Sequence, residues 1–356
     1  MLMLLGALVT GCGAGAGDTA GSCPAAAVLE AQMDSVLSQA ASAGDFSFAV
    51  ERLDGRRYTF NRGSSTLQTS YESKSTSKLI SAVIILRLVE QGYLALSERP
   101  QDRIVDWPIA SPNPLSDMTL AQLLSFTSGL TIDPPCLGIG SSAFEACVIS
   151  VGTENLNNPI APGQEFFYAS SHLQVAGLMA IKARGVASWT WQEVYAEFKA
   201  QTGLFLSSSY DSPSLSNPAL AGGMHLTGRD YMDFLKALKG GLLLNTASMS
   251  QLLADHTMAP MPMRFSPIFS GIGGGAGLGE DWHYGFGLWH ECQSPTFNCV
   301  AGTRVSSPGA LGFYPFWDRS KGYTGVVARD GAFGTLTSGI NIERSVRPNV
   351  EQWAAC

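Results

Sequence analysis

The sequence predicts an α/β chain of the α+β kind: a sheet domain flanked by terminal helices and interrupted by a mostly helical insertion. Three observations predict it. Alternating apolar residues mark strands at Phe46 to Leu53 and again from Tyr284 onward. Between them helical spacing dominates. The run Ser75 to Gly92, STSKLISAVIILRLVEQG, keeps hardly any polar stripe, the mark of a helix buried in a sizeable core. Residues 1–22 then form a leader and tether, residues 23–74 with 281–356 the sheet domain, and residues 75–280 the helical domain.

The start, MLMLLGALVTGCGAGAGDTAGS, reads as a targeting segment. Leu2 to Val9 form an apolar stretch, although no Lys or Arg precedes it as a signal peptide asks. Val9-Thr10-Gly11-Cys12 resembles the lipobox of bacterial lipoproteins. The resemblance implies lipidation of Cys12, export, and attachment to the cell envelope through that lipid alone, on its periplasmic or outer side. Gly13 to Ser22 is a flexible tether.

Helical spacing of Val28, Leu29, Met33, Val36 and Leu37 predicts a helix over Ala25 to Ser42. Phe46 to Leu53 and Arg57 to Asn61 form a hairpin about Asp54-Gly55. The apolar helix follows, stopped at Gln91-Gly92 and too short for a bilayer, which needs roughly 20 apolar residues. Further helices are expected at Thr119 to Leu124 after Ser116 as N-cap, Leu173 to Arg184, Trp189 to Phe198 and Gly228 to Lys239. Ser266 to Glu280 is a Gly-rich loop whose Gly271 to Ala276 matches a dinucleotide pattern only in letters. Strands are expected at Tyr284 to Glu291, Ser307 to Phe316, Gly325 to Arg329 and Thr335 to Ile342, then a short helix, Val350 to Cys356, capped by Asn349.

Sparse charge, 22 basic against 29 acidic residues for a net −7, argues against a nucleic-acid partner. Of seven cysteines, setting Cys12 aside leaves an even set. Cys136 with Cys147 and Cys292 with Cys299 would close short loops, leaving Cys23 for Cys356. Zinc is the rival use, but no C-x-x-C spacing occurs and the five histidines show no metal spacing. No metal or other cofactor is expected.

Chemistry concentrates at the start of the buried helix. Ser75 and Lys78 stand three residues apart, on one helical face. Free N–H groups at a helix start favour a developing anion there. A serine hydroxyl needs an adjacent base to become a nucleophile, and a desolvated lysine can supply one. N-capping alone would also account for serines in this place.

The chain resembles the serine hydrolases related to class C β-lactamases, penicillin-binding peptidases and their esterase relatives. Ser75-Thr76-Ser77-Lys78 fits the family's first motif, and Thr119 to Leu130 (TLAQLLSFTSGL) its T-x-x-x-L-L-x-H-T-S-G-L stretch, with Phe126 where His is usual. Tyr168-Ala169-Ser170 fits Tyr-x-Asn with Ser170 in place of Asn; Ala221 to Met224 and Tyr284 to Gly287 also look familial. For the third motif two frames compete, Tyr323-Thr324-Gly325 and Ser307-Pro308-Gly309, and the second fits its surroundings better. The resemblance implies a β-lactamase/transpeptidase-like fold with an antiparallel sheet. It implies Ser75, Lys78 and Tyr168 as catalytic residues, with Lys78 nearby favouring a Tyr168 phenolate. The N–H groups of Ser75 and Ala310 would form the oxyanion hole. Ser170, Ser307 and Gly309 would contact substrate, Ser170 bonding Lys78 or the substrate itself.

The expected activity is hydrolysis of a small ester, amide or peptide through an acyl-enzyme on Ser75. Ser307 cannot pair with a carboxylate as lysine does, which favours neutral substrates. Arg304, three residues away, would face the other side of a strand. The alternatives are a β-lactamase or D-Ala-D-Ala carboxypeptidase, or a silent binding lipoprotein of the same fold.

Overall fold

Leu29, Met33 and Leu37, four residues apart, are the face that α1 (Ala26–Gln39) buries. The computed structural model describes residues 23–356 except Ala43 and Pro159, so the leader, the tether and Cys12 lie outside it. β1 (Phe46–Arg52) and β2 (Arg57–Arg62) form the expected antiparallel hairpin. β3 (Ser70–Glu72) then leads through a 3₁₀ turn, Lys74–Thr76, into α2 (Ser77–Glu90). This is the apolar helix, buried on nearly every side. Its buried hydroxyls find partners: the Ser81 hydroxyl lies 2.7 Å from both the Tyr210 hydroxyl and the Leu220 carbonyl. Gly92 follows in the left-handed conformation expected of a helix stop.

The chain continues with α3 (Leu120–Leu124), α4 (Phe144–Asn155), β4 (Phe166–Phe167), α5 (Ser171–Ala183), α6 (Trp191–Thr202), β5 (Ser209–Tyr210), β6 (Met224–Thr227) and α7 (Gly228–Lys239). Then come α8 (Thr246–Leu252), β7 (Met263–Phe265) and α9 (Pro267–Ser270). The chain closes with β8 (His283–Tyr284), β9 (Trp289–His290), β10 (Arg304–Ser306), β11 (Tyr314–Asp318), β12 (Tyr323–Ala328) and α10 (Leu336–Ala355).

Seven strands make one antiparallel sheet, ordered β2-β1-β12-β11-β10-β9-β8. Early strands therefore lie beside late ones, and α1 packs with α10. Alternation along β12 divides the faces. Ala328 meets Gly228 of α7, while the Tyr323 hydroxyl points to the Arg304–Glu343 cluster beneath α10. Two small sheets lie outside this one: β3-β6-β5 carries the approach to Ser75, and parallel β4-β7 carries the approach to Tyr168. Together these elements form a β-lactamase/transpeptidase-like arrangement of mixed helices and antiparallel sheet.

Several expected elements are corrected. Thr335 to Ile342 is not a strand but the start of α10, and Val350 to Cys356 is the end of that helix, with Asn349 inside it. Its buried residues, Leu336, Ile340, Val346, Val350 and Trp353, show helical spacing only over its full length. Ser307 to Phe316 is not one strand: β10 ends at Ser306, and the chain reverses before β11. The cap of α3 is Thr119, not Ser116, because Thr119 and Gln122 bond each other's backbone N–H groups.

Three disulfides join Cys23 to Cys356, Cys136 to Cys147 and Cys292 to Cys299. The first clips the two ends of the described fold together. The second ties a 3₁₀ turn to α4 rather than closing a wholly surface loop, since Cys147 is buried in that helix.

Candidate active site

Ser75 sits in the 3₁₀ turn before α2, partly exposed, just after Lys74 in the left-handed region at φ 50°. A lysine there is uncommon, and the pairing of its amine with Glu72 holds it. One turn on, Lys78 is only 3 % exposed. Its Nζ donates to Ser75 Oγ at 2.9 Å and to the Ala221 carbonyl at 2.7 Å. Burial lowers the Lys78 pKa to about 7, against the opposing pull of the Asp133 carboxylate. Near neutral pH about half of these amines are free to accept a proton.

The same amine lies 4.6 Å from the centroid of the Tyr168 ring. Tyr168 is placed by β4 and β7: the Phe167 N–H donates to the Phe126 carbonyl at 3.1 Å, and the Tyr168 N–H to the Phe265 carbonyl at 3.2 Å. Its ring stacks on Trp289 at 5.3 Å. Burial raises the phenol pKa well above its usual value, although hydrogen bonding with Ser75 and Trp289 pulls it back. The expected phenolate favoured by Lys78 is thus corrected. The amine meets the ring face, and Tyr168 stands as a neutral phenol.

Ser170 opens α5 by its backbone. Its N–H and that of Ser171 donate to the two Asp133 oxygens at 2.9 and 2.8 Å. The expected Ser170–Lys78 bond is absent among the described residues, where Lys78 bonds Ser75 and Ala221.

The third-motif segment lies against the nucleophile turn. Ser307 Oγ donates to the Ser75 carbonyl at 3.3 Å and the Gly287 carbonyl at 3.2 Å. At Gly309 a Cβ would collide with the Ser73 carbonyl oxygen, so glycine is what permits the approach. Among the described residues no acceptor engages the N–H of Ser75 or of Ala310. The rival frame is remote: Tyr323 and Thr324 are fully buried in β12, between β1 and β11.

Four contributors were not singled out as site residues from sequence. Ala221 lies in a stretch already marked as familial. Asp133 caps α5 from 37 residues before Ser170, a separation with no local signal. Trp289 shows only as a strand aromatic. His172 is the fourth. Its Nε2 meets the Phe167 carbonyl at 2.9 Å and so carries the proton, leaving Nδ1 to accept from Ser128 Oγ, also at 2.9 Å. Phe126, where the family has His, stacks on this imidazole at 4.7 Å and lies 5.5 Å from the Tyr168 ring.

Burial lowers the His172 pKa to about 4. The unfolded chain binds that proton near pH 6.5, so stability falls as pH drops from about 6.5 to 4, by about 3 kcal/mol at the lower end. Urea denaturation at pH 7 and 4.5 checks this: His172→Gln is expected to lose most of this acid sensitivity.

A family model described as Beta-lactamase matches residues 47–342. Among solved structures, the chain is similar to a candidate beta-lactamase from Bacteroides dorei DSM 17855 (TM-score 0.72, 20% identity, covering 90% of this chain and 98% of that one). It is similar to EstCE1, a hydrolase with promiscuous acyltransferase activity (0.69, 16%, 90% and 98%). A third is a penicillin binding protein from Bacillus halodurans (0.64, 18%, 91% and 99%). At these identities the likeness speaks to fold alone. No curated protein matches the chain.

Proposed function

Because this chain belongs to the beta-lactamase family, we propose that it is a serine hydrolase cleaving a small neutral ester or amide through an acyl-enzyme on Ser75. The observation that carries the reading is Lys78: an amine 2.9 Å from Ser75 Oγ, with its pKa lowered by burial to about 7. Neutral Lys78 takes the Ser75 proton as Oγ attacks the carbonyl carbon. The oxyanion is received by the N–H groups of Ser75 and Ala310; losing such a donor costs on the order of 10²–10³ in rate. As the carbon–leaving-group bond breaks, the Tyr168 phenol donates its proton to the departing oxygen or nitrogen and recovers one from the Lys78 ammonium. Lys78, neutral again, then deprotonates the water that attacks the acyl-enzyme, and the proton returns to Ser75 Oγ.

Among the described residues, neither Ser307 nor Arg304 offers a cation to substrate at the nucleophile, which favours a neutral substrate. The Ser307 hydroxyl is turned to main-chain carbonyls, and Arg304 is bound to Glu291 and Glu343 beneath α10. A β-lactam or a peptide carboxylate would meet neither. Ser170 and Gly309 line the same approach as substrate contacts. Three disulfides support export to an oxidising compartment, consistent with a lipid anchor at Cys12.

A fluorophosphonate probe tests the reading. Wild type is expected to be labelled and Ser75→Ala spared, with p-nitrophenyl esters turned over and a fluorescent penicillin leaving no label. Equal labelling of both proteins would end the assignment of Ser75, and no label with no ester turnover would leave a binding protein that has kept the fold.

A further inference from the structure

A cavity of about 630 Å³ opens between the end of α7, α8 and the end of β11, apart from the nucleophile. That size fits a small-molecule site. Its inner walls are apolar: Leu238 and Trp317 are buried, and Leu253 and Met249 are half-buried. Two cations line the same cavity, half-buried Lys239 and exposed Arg319. Neither forms an ion pair among the described residues. Arg319 lies over the Trp317 ring at 5.4 Å and donates to the Gly302 carbonyl at 2.8 Å. Glu51, the carboxylate that acts on Lys239, is already bonded by Arg57 at 2.8 Å. Among the described residues no carboxylate lines the cavity.

Behind Leu238, Leu253 and Trp317 a seam continues past Leu79 to Ser307, with only about 10 Å³ open to a water-sized sphere. That is at or below what one water needs. The seam is therefore dry, whereas the wider cavity carries both cations.

We propose that this groove binds an anionic amphiphile of the fatty-acid type, its carboxylate between Lys239 and Arg319 and its alkyl chain against Leu238, Met249, Leu253 and Trp317. The polarity of the site selects this class. A cation would face like charge, a fully polar anion would leave the apolar walls unused, and a neutral chain would leave both cations unpaired. The inference is independent of the hydrolysis proposed for Ser75, since none of these side chains belongs to that site.

Isothermal titration of the purified chain with decanoate, decanol and decyltrimethylammonium tests it. Decanoate is expected to bind one to one and raise the unfolding temperature by mass action. Both other chains should bind at least tenfold more weakly. Lys239→Met with Arg319→Met is expected to weaken decanoate by tenfold or more, and Met249→Trp, which fills the groove, to weaken it as well. Probe labelling of Ser75 should stay unchanged in both variants. No saturable decanoate binding up to about 1 mM, or equal binding by the variant lacking both cations, overturns the proposal.

Discussion

Lys78→Met is expected to lose roughly 10³-fold or more in kcat/KM toward an ester while unfolding at a higher temperature than wild type. The two effects have one cause. Burial brings the amine from its ordinary range down to about 7. Below that pH the folded protein holds a buried ammonium. Above it the unfolded chain still binds a proton that the folded chain has released, so stability rises as pH increases from about 7 to 10.5. At pH 7 the cost of keeping this lysine buried is about 4 kcal/mol, some of which an apolar side chain recovers. Activity runs on the same equilibrium, because only the free amine can take the Ser75 proton. Wild-type kcat/KM is expected to climb through a midpoint near pH 7 and to stand at about one hundredth of its plateau at pH 5. Steady-state rates from pH 5 to 9, with melting curves for both proteins, check it. A flat profile, or a Lys78→Met protein both active and less stable, would remove Lys78 from the role of base.

How much of this was legible in the sequence follows from the range of each interaction. Ser75 and Lys78 are neighbours through one helical turn, so their spacing alone put hydroxyl and amine together. The surroundings of Ser307-Pro308-Gly309 favour that frame, and that segment, not Tyr323-Thr324-Gly325, lies against Ser75. The face of Arg304 could be read because three residues along a strand reverse direction. What could not be read depends on chain brought in from far away. The carbonyl that fixes the Lys78 amine belongs to Ala221, 143 residues on. Phe126 replaces a histidine in the motif, and only the fold shows the His172 ring stacked on it. The Tyr168 proton is not legible either, because the spacing shows an amine nearby while the burial that keeps the phenol neutral appears only in the fold. At the chain's end, Thr335 to Ile342 alternates well enough for a strand over eight residues. The longer period of α10 and its packing on α1 override that local preference.

Arg304→Met is expected to cost about 3–5 kcal/mol of stability, while the protein that remains folded keeps its catalytic efficiency. The guanidinium is buried on β10 and reaches three carboxylates: Glu291 at 2.9 Å, Asp318 at 3.2 Å and Glu343 at 2.9 Å. Burial alone would push the Glu291 pKa up, yet Arg304 and Arg347 together bring it down to about 2. Removing Arg304 leaves buried negative charge facing Arg347 alone, which lies 2.6 Å from Glu343 but 3.6 Å from Glu291. The loss is a matter of charge, so Arg304→Met with Glu343→Gln should recover part of it. In wild type the Glu291 contribution is present above about pH 4.5 and is lost as pH falls toward 2. The variant should therefore resemble wild type more closely at acid pH than at pH 7, as urea denaturation at pH 7 and 3.5 can show. Activity separates this role from substrate binding. Arg304 points away from Ser75, so kcat/KM per folded molecule should stay within about threefold of wild type at low temperature. A drop of a hundredfold there, with stability unchanged, would mean that this arginine had reached the cleft after all and was the cation a carboxylate substrate needs.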